Sequence, residues 1–266
     1  MSEKLRRFII FYFIISLIPL YHTPLFETTE ARYSEISFEM LKSRNYMEPV
    51  FNGIKHFHKP PFTYWITLLG LKLFGVNGFG ARFFCAIASL IILIFTYKLS
   101  MIILENEKDS FNSVLILSSS LLFILLSKTI STDIYLTLFT VLSQYYLFSQ
   151  LKENKTRNAV LYSVFMAFGF LTKGPVIFLF TLLPYIVNRI LKIHKPAFTY
   201  KQVICSVLIF SAISLWWYLV VVYRNPLLLD YFIRVQTVER IATDRFHRYK
   251  PFYFFFIVLI VGFIPY

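Results

Sequence analysis

Cysteine, glycine and acidic residues are all scarce: 2 Cys, 8 Gly and 14 Asp+Glu in 266 residues. So few cysteines exclude a disulfide-stapled secreted module. Cys85 and Cys205 each sit in an apolar run and read as small buried hydrophobes. No glycine-rich phosphate loop occurs, which excludes the nucleotide-binding motifs built on one. Charged residues make up only 15%, against about a quarter in soluble domains, so an ordinary soluble globule is excluded. What is abundant is apolar: 57% hydrophobic residues and a mean hydropathy of +0.63, too much for a disordered chain. The 31 Phe and 18 Tyr suit a lipid-facing protein with aromatic belts. The net charge is +13, from 27 Lys+Arg against the 14 acids. Such a balance often marks a nucleic-acid binder, but the hydropathy argues against that partner. Anionic headgroups or a phosphate-bearing substrate fit better.

A membrane-spanning helix needs about 20 mostly apolar residues. Residues 8–26, 83–104, 111–127, 134–151, 159–172, 176–190, 203–223 and 252–266 are the candidates. The fifth and sixth flank Thr172-Lys173-Gly174-Pro175, which reads as a tight reversal. The first follows Lys4, Arg6 and Arg7 but lacks a small-residue cleavage site, so it reads as a retained helix rather than a signal peptide. The cations of the short loops, near 4–7, 108, 152–157 and 189–201, define a cytoplasmic side. The other side holds two long segments, 27–82 and 224–251, and the turns at 128–133 and 172–175. More than half of the 27 cations lie there, and an anionic ligand at the outer face would use them. Asn154-Lys155-Thr156 matches a glycosylation sequon but falls on the cytoplasmic side. There is no internal repeat.

In the first outer segment, Tyr33, Ile36 and Met40 share one helical face over 30–43, and Arg32, Glu35, Glu39 and Lys42 take the other. This predicts an amphipathic helix in the interface plane. Asn52-Gly53 signals a turn and Pro60-Pro61 a break. Residues 62–74 form a second interfacial helix, ended by Gly75.

These residues carry a resemblance. Thr29-Glu30-Ala31-Arg32-Tyr33-Ser34-Glu35-Ile36, Glu39-Met40-Leu41, Asn52-Gly53, Lys59-Pro60-Pro61, Tyr64-Trp65, Leu73-Phe74-Gly75 and Ala81-Arg82 follow in order. Leu171-Thr172-Lys173-Gly174-Pro175 and the stretch 240–253, with His247 and Pro251-Phe252-Tyr253, come later. As a set, over essentially the whole chain, they resemble the polyprenyl-phosphate-sugar-dependent glycosyltransferases of the GT-C fold. That family includes the lipid A aminoarabinose transferases and relatives of the dolichyl-phosphate-mannose-protein mannosyltransferases. Its members are longer, so this chain looks like the N-terminal part of one. The resemblance implies an inverting transfer of a sugar from a polyprenyl phosphate to a lipid, glycan or protein acceptor. Such chemistry needs a carboxylate to activate the acceptor and cations to receive the lipid phosphate.

Carried over residue by residue, the resemblance makes Asp133 the acid at the outer end of the fourth span; on residues alone it reads equally as a helix N-cap. Glu30 is the second member of the family's acidic pair, whose first position holds Thr29 here. Either Glu30 or the upstream Glu27 would then act as the base; alternatively Glu30 is a favourable charge at a helix N-terminus. Arg32, Lys59, Lys173, Arg240 and Arg248 are the candidate phosphate contacts. Their alternatives are a solvated pair with Glu35 for Arg32, headgroup snorkelling for Lys59 and a carbonyl-capping turn residue for Lys173. His58 replaces the acidic residue that, in the aminoarabinose transferases, holds a metal with a later histidine, here His247. Two imidazoles would give a divalent metal such as zinc at most two ligands.

The expected fold is an all-α, multi-pass GT-C-type helical bundle, 1–266, with two interfacial helices in the outer segment 27–82. The expected place is a plasma membrane, the bacterial inner one, with the site facing the periplasm or exterior. A transporter or channel is the other class; it would carry ionisable residues inside the spans, and here they cluster at one face. A non-catalytic lipid-binding relic is the third.

Overall fold

The computed structural model describes residues 2–26, 29–191, 198–239 and 251–266. Helix follows helix, with one two-stranded hairpin between them: α1 (Glu3–His22), α2 (Glu30–Ser43), β1 (Val50–Phe51), β2 (Ile54–Lys55) and α3 (Phe62–Phe74). The bundle continues with α4 (Gly78–Leu104), α5 (Glu107–Ser119), α6 (Leu121–Ser127), α7 (Thr132–Glu153), α8 (Thr156–Lys173), α9 (Val176–Ile190) and α10 (Tyr200–Arg224). Leu228–Asp230 leads into a π-helix, Tyr231–Glu239, and Phe254–Gly262 is the last helix. The protein is an all-α, multi-pass membrane bundle.

Length and apolarity mark α1, α4 and α10 as membrane-crossing, each turning large apolar side chains outward, as α1 does with Phe11 and Ile18 and α10 with Leu208 and Leu219. The stretch 111–127, expected as one span, is broken: α5 and α6 bend by 68°. The cause lies in Ser118, Ser119 and Ser120, whose hydroxyls donate to carbonyls of Leu115 and Leu117 and compete with the helix ladder. The freed amide of Leu121 donates to Ile264 O at 3.0 Å. α7, α8 and α9 fall short of the same measure. α9 has 15 residues, and α7 and α8 bury polar side chains such as Ser143, Gln150 and Ser163.

Pro184 sits inside α9 and has no N–H to give the carbonyl of Phe180 one turn earlier. Gln144 of α7 supplies the missing donor: its Nε2 bonds Phe180 O. α3 crosses α4 at two glycines. A Cβ on Gly70 would stand 2.1 Å from the Gly80 carbonyl oxygen, so only glycine lets these backbones approach so closely. α4 begins five residues before the expected position because Asn77 caps it, accepting from Gly80 N at 2.8 Å. The main core gathers α1 through α7 around Leu5, Ile36, Tyr64, Ile92 and Tyr135.

The segment that follows α2 rests on this bundle. Val50 pairs with Lys55 and Phe51 with Ile54, closed by Asn52-Gly53 with φ of 51° and 77°, the primed turn expected of that dipeptide. Glu39 Oε1 accepts from Asn52 N at 2.9 Å, and Trp65 Nε1 donates to Tyr46 O at 2.7 Å. Trp217 Nε1 of α10 donates to Met47 O at 2.9 Å. Lys55 and Asn225 both bond Glu48, tying the hairpin to the end of α10.

Candidate functional site

Asp133 lies in the first turn of α7. It is not the cap of that helix: Ser131 is, its Oγ accepting from Asp133 N at 3.2 Å. The Asp133 carboxylate is therefore free for other work, and it pairs with Lys173 Nζ, the last residue of α8. The Asp133 side chain is 48% exposed and that of Lys173 26%. Gly174, with φ 70°, turns the chain directly after Lys173, and its amide closes on Phe170 O at 2.8 Å. The reversal expected at 172–175 thus fixes the lysine's direction.

Two cavities meet at this pair. One, of about 300 Å³, is lined by His58, Lys59 and Lys173 with apolar walls from Phe57, Tyr218 and Phe232. The other, of about 270 Å³, runs down between α7 and α9, past Asp133, Thr137, Thr140, Val176 and Phe180. Lys173 lines both. Of the expected phosphate contacts, Lys59 and Lys173 thus share one cavity. Arg32 lines neither; it is half-buried on α2, over the ring of Tyr33 at 6.0 Å. Arg240, Arg248 and His247, and Glu27, lie outside the described residues.

Glu30, expected as a catalytic carboxylate, is instead spent on structure. It is 3% exposed and pairs with Arg82, 1% exposed. Oε1 accepts from Arg82 Nε at 2.7 Å and from Ile130 N at 3.0 Å. Oε2 accepts from Arg82 Nη2 at 2.6 Å and Phe26 N at 2.9 Å. Arg82 spends its remaining donors on the carbonyls of Leu20, Thr23 and Pro24. Removing one partner from such a buried pair typically costs about 3–5 kcal/mol.

The histidines gave a signal that the sequence reading passed over. His56, two residues before His58, brings its ring to 4.1 Å from the His58 ring. Burial, then the positive fields of His58 and Arg32, push the His56 imidazole down to about 4. His56 therefore stays neutral at physiological pH. Among the described residues no three His, Cys, Asp or Glu side chains gather as a metal site. The expected partner of His58, His247, lies outside them. Arg82 and the wall residues Tyr218 and Phe232 were also missed. Arg82 belongs to the Ala81-Arg82 element of the resemblance, which gives it no role, and nothing local marks the other two.

The family profile described as "Dolichyl-phosphate-mannose-protein mannosyltransferase" matches residues 58–217. The undecaprenyl phosphate-alpha-4-amino-4-deoxy-L-arabinose arabinosyl transferase 1 of Proteus mirabilis is 31% identical, over 100% of this chain and 49% of its own length. The transferase of that name from Photorhabdus laumondii is 31% identical over 96% of this chain and 47% of its own length. Among solved structures, ArnT from Cupriavidus metallidurans bound to undecaprenyl phosphate superposes with a TM-score of 0.84 at 21% identity, covering 98% of this chain and 48% of that one. Its apo state gives 0.81 at 20% identity. The fold is shared, and the chain spans about half the length of the curated relatives it matches.

Proposed function

The chain belongs to the dolichyl-phosphate-mannose-protein mannosyltransferase family, within the GT-C glycosyltransferases, and on that premise we propose that it carries the catalytic face of a membrane glycosyltransferase. The enzyme moves a sugar from a polyprenyl phosphate to a lipid, glycan or protein acceptor at the outer membrane face, with inversion. The observation that carries this reading is the Asp133–Lys173 pair standing between two cavities, the first of which also presents His58 and Lys59.

In this reading the donor phosphate enters the first cavity, where Lys59 and Lys173 receive its charge. A Lys ammonium is a compact point charge that suits a phosphate oxygen. The acceptor hydroxyl approaches along the second cavity and donates its proton to Asp133. Its oxygen bonds to the anomeric carbon from the side opposite the phosphate. The bond from that carbon to the phosphate oxygen breaks, and the lipid phosphate leaves toward Lys59. Lys173 orients the carboxylate until the hydroxyl takes its place. The relatives' printed names suggest an undecaprenyl-phosphate-linked aminoarabinose as donor, and the apolar walls of the first cavity are consistent with a lipid-linked one.

The test is incubation of the full-length protein in membranes with labelled polyprenyl-phosphate sugars and identification of the labelled product. No transfer from any such donor would refute the reading. Sidedness is tested separately. Lys55→Cys should react with an impermeant thiol reagent in intact cells, and Lys155→Cys should not. The reverse pattern would place the site on the cytoplasmic face.

A further inference from the structure

We propose that the buried Glu30–Arg82 pair is a positioning device for Asp133, an inference that rests on the role proposed for that carboxylate. Glu30 Oε1 holds Ile130 N, three residues before Asp133, at 3.0 Å. The turn that delivers Asp133 into the site is therefore anchored to a carboxylate 100 residues away in sequence. The same carboxylate, through Oε2, holds Phe26 N. Arg82 holds the carbonyls that end α1 and begin the following segment, Thr23 at 2.6 Å and Pro24 at 2.7 Å.

The consequence is geometric. One guanidinium–carboxylate fork joins the end of α1, the start of α2, the first turns of α4 and the approach to α7. Bidentate pairing fixes direction as well as distance. All five guanidinium N–H donors and both carboxylate oxygens are used. The pair also stands beside residue 29, the N-cap of α2. The fork thus sets the spacing between the two positions at which the resemblance places acids, 29 and 133.

The test compares full-length wild type with Glu30→Gln, which removes the charge and sets an amide donor against Arg82 and Ile130 N when it replaces Oε1. In protein that remains folded, kcat should fall by about a hundredfold, as expected when a reacting group is displaced by about 1 Å. The donor KM should stay within about twofold, because the donor cations are untouched. Hydrogen exchange should rise in residues 128–134 and stay unchanged in the rest of α7. A folded Glu30→Gln with wild-type kcat would overturn the inference. If Glu30→Gln does not fold, an amide-to-ester replacement at residue 130 decides. It deletes one hydrogen bond, leaves the ion pair intact, and should lower kcat on the order of tenfold; wild-type kcat there also overturns it. Asp133→Asn in parallel separates the two readings. If Asp133→Asn remains active, the role of Asp133 fails, and unchanged exchange at 128–134 in Glu30→Gln would still refute the anchoring itself.

Discussion

Replacing Asp133 by Asn separates catalysis from stability, because the structure makes the two effects differ in size. The Asp133–Lys173 pair is 48% and 26% exposed, and a half-exposed pair contributes about 0–1 kcal/mol to stability. The cap of α7 belongs to Ser131, so it survives the substitution. The remaining loss is the interaction of a negative charge with the helix N-terminus, about 0.3–1 kcal/mol. The fold should therefore lose no more than about 2 kcal/mol, seen as a small shift in melting temperature in detergent. Transfer should fall by about 10²–10⁴, the range for a positioned acid–base group. The assay is initial-rate transfer from a labelled donor at saturating acceptor, normalised to folded protein by size-exclusion chromatography. A folded Asp133→Asn that transfers at the wild-type rate would refute the catalytic assignment and leave Asp133 as a surface charge at a helix end.

Lys59→Ala should raise the donor KM by about tenfold to more than a hundredfold, from the roughly 1.5–3 kcal/mol of a hydrogen bond to a charged group; an unchanged KM removes Lys59 from the donor site. Because the folded His56 titrates near 4, below its ordinary value of 6.5, the unfolded chain binds the proton more readily. His56 thus contributes stability above about pH 6.5 that is lost as the pH falls toward 4. Thermal scans should show that slope in the wild type and a shallower one in His56→Gln; equal slopes would contradict the assignment. Gln144→Leu should destabilise by about 1–3 kcal/mol, because Phe180 O is left without a donor. Pro184→Ala should restore the helical N–H and recover most of that loss in the double variant, and additive losses would refute the link.

Periodicity made α2 legible to within a residue, and apolar runs bounded by proline and glycine did the same for α3 and α9. The turn at Asn52-Gly53 and the reversal at 172–175 were equally plain, because those dipeptides select a backbone conformation. The break at Ser120 was not legible. Hydropathy windows average over three serines among leucines and see one span, whereas hydroxyls bending a helix act at single carbonyls. The apolar runs within α7 and α8 read as ordinary spans, although these helices also bury Gln150 and Ser163.

The site was legible in its charges but not in how those charges are spent. The resemblance selected Lys59, Lys173 and Asp133, and the fold brings Lys173 into one cavity with Lys59 and pairs it with Asp133. Glu30 met the same criteria and has a different fate, decided by Arg82, 52 residues away. A carboxylate at a helix start looks identical in sequence whether it faces substrate or an arginine. The distinction is set by burial: at 3% exposure an ionised group must have its hydrogen bonds filled within the protein, and a filled carboxylate accepts no proton from a substrate. Asp133, with one partner and half its surface open, retains that capacity. Exposure and partner count, more than charge or motif, therefore divide the two acids into one that holds the site and one that works in it.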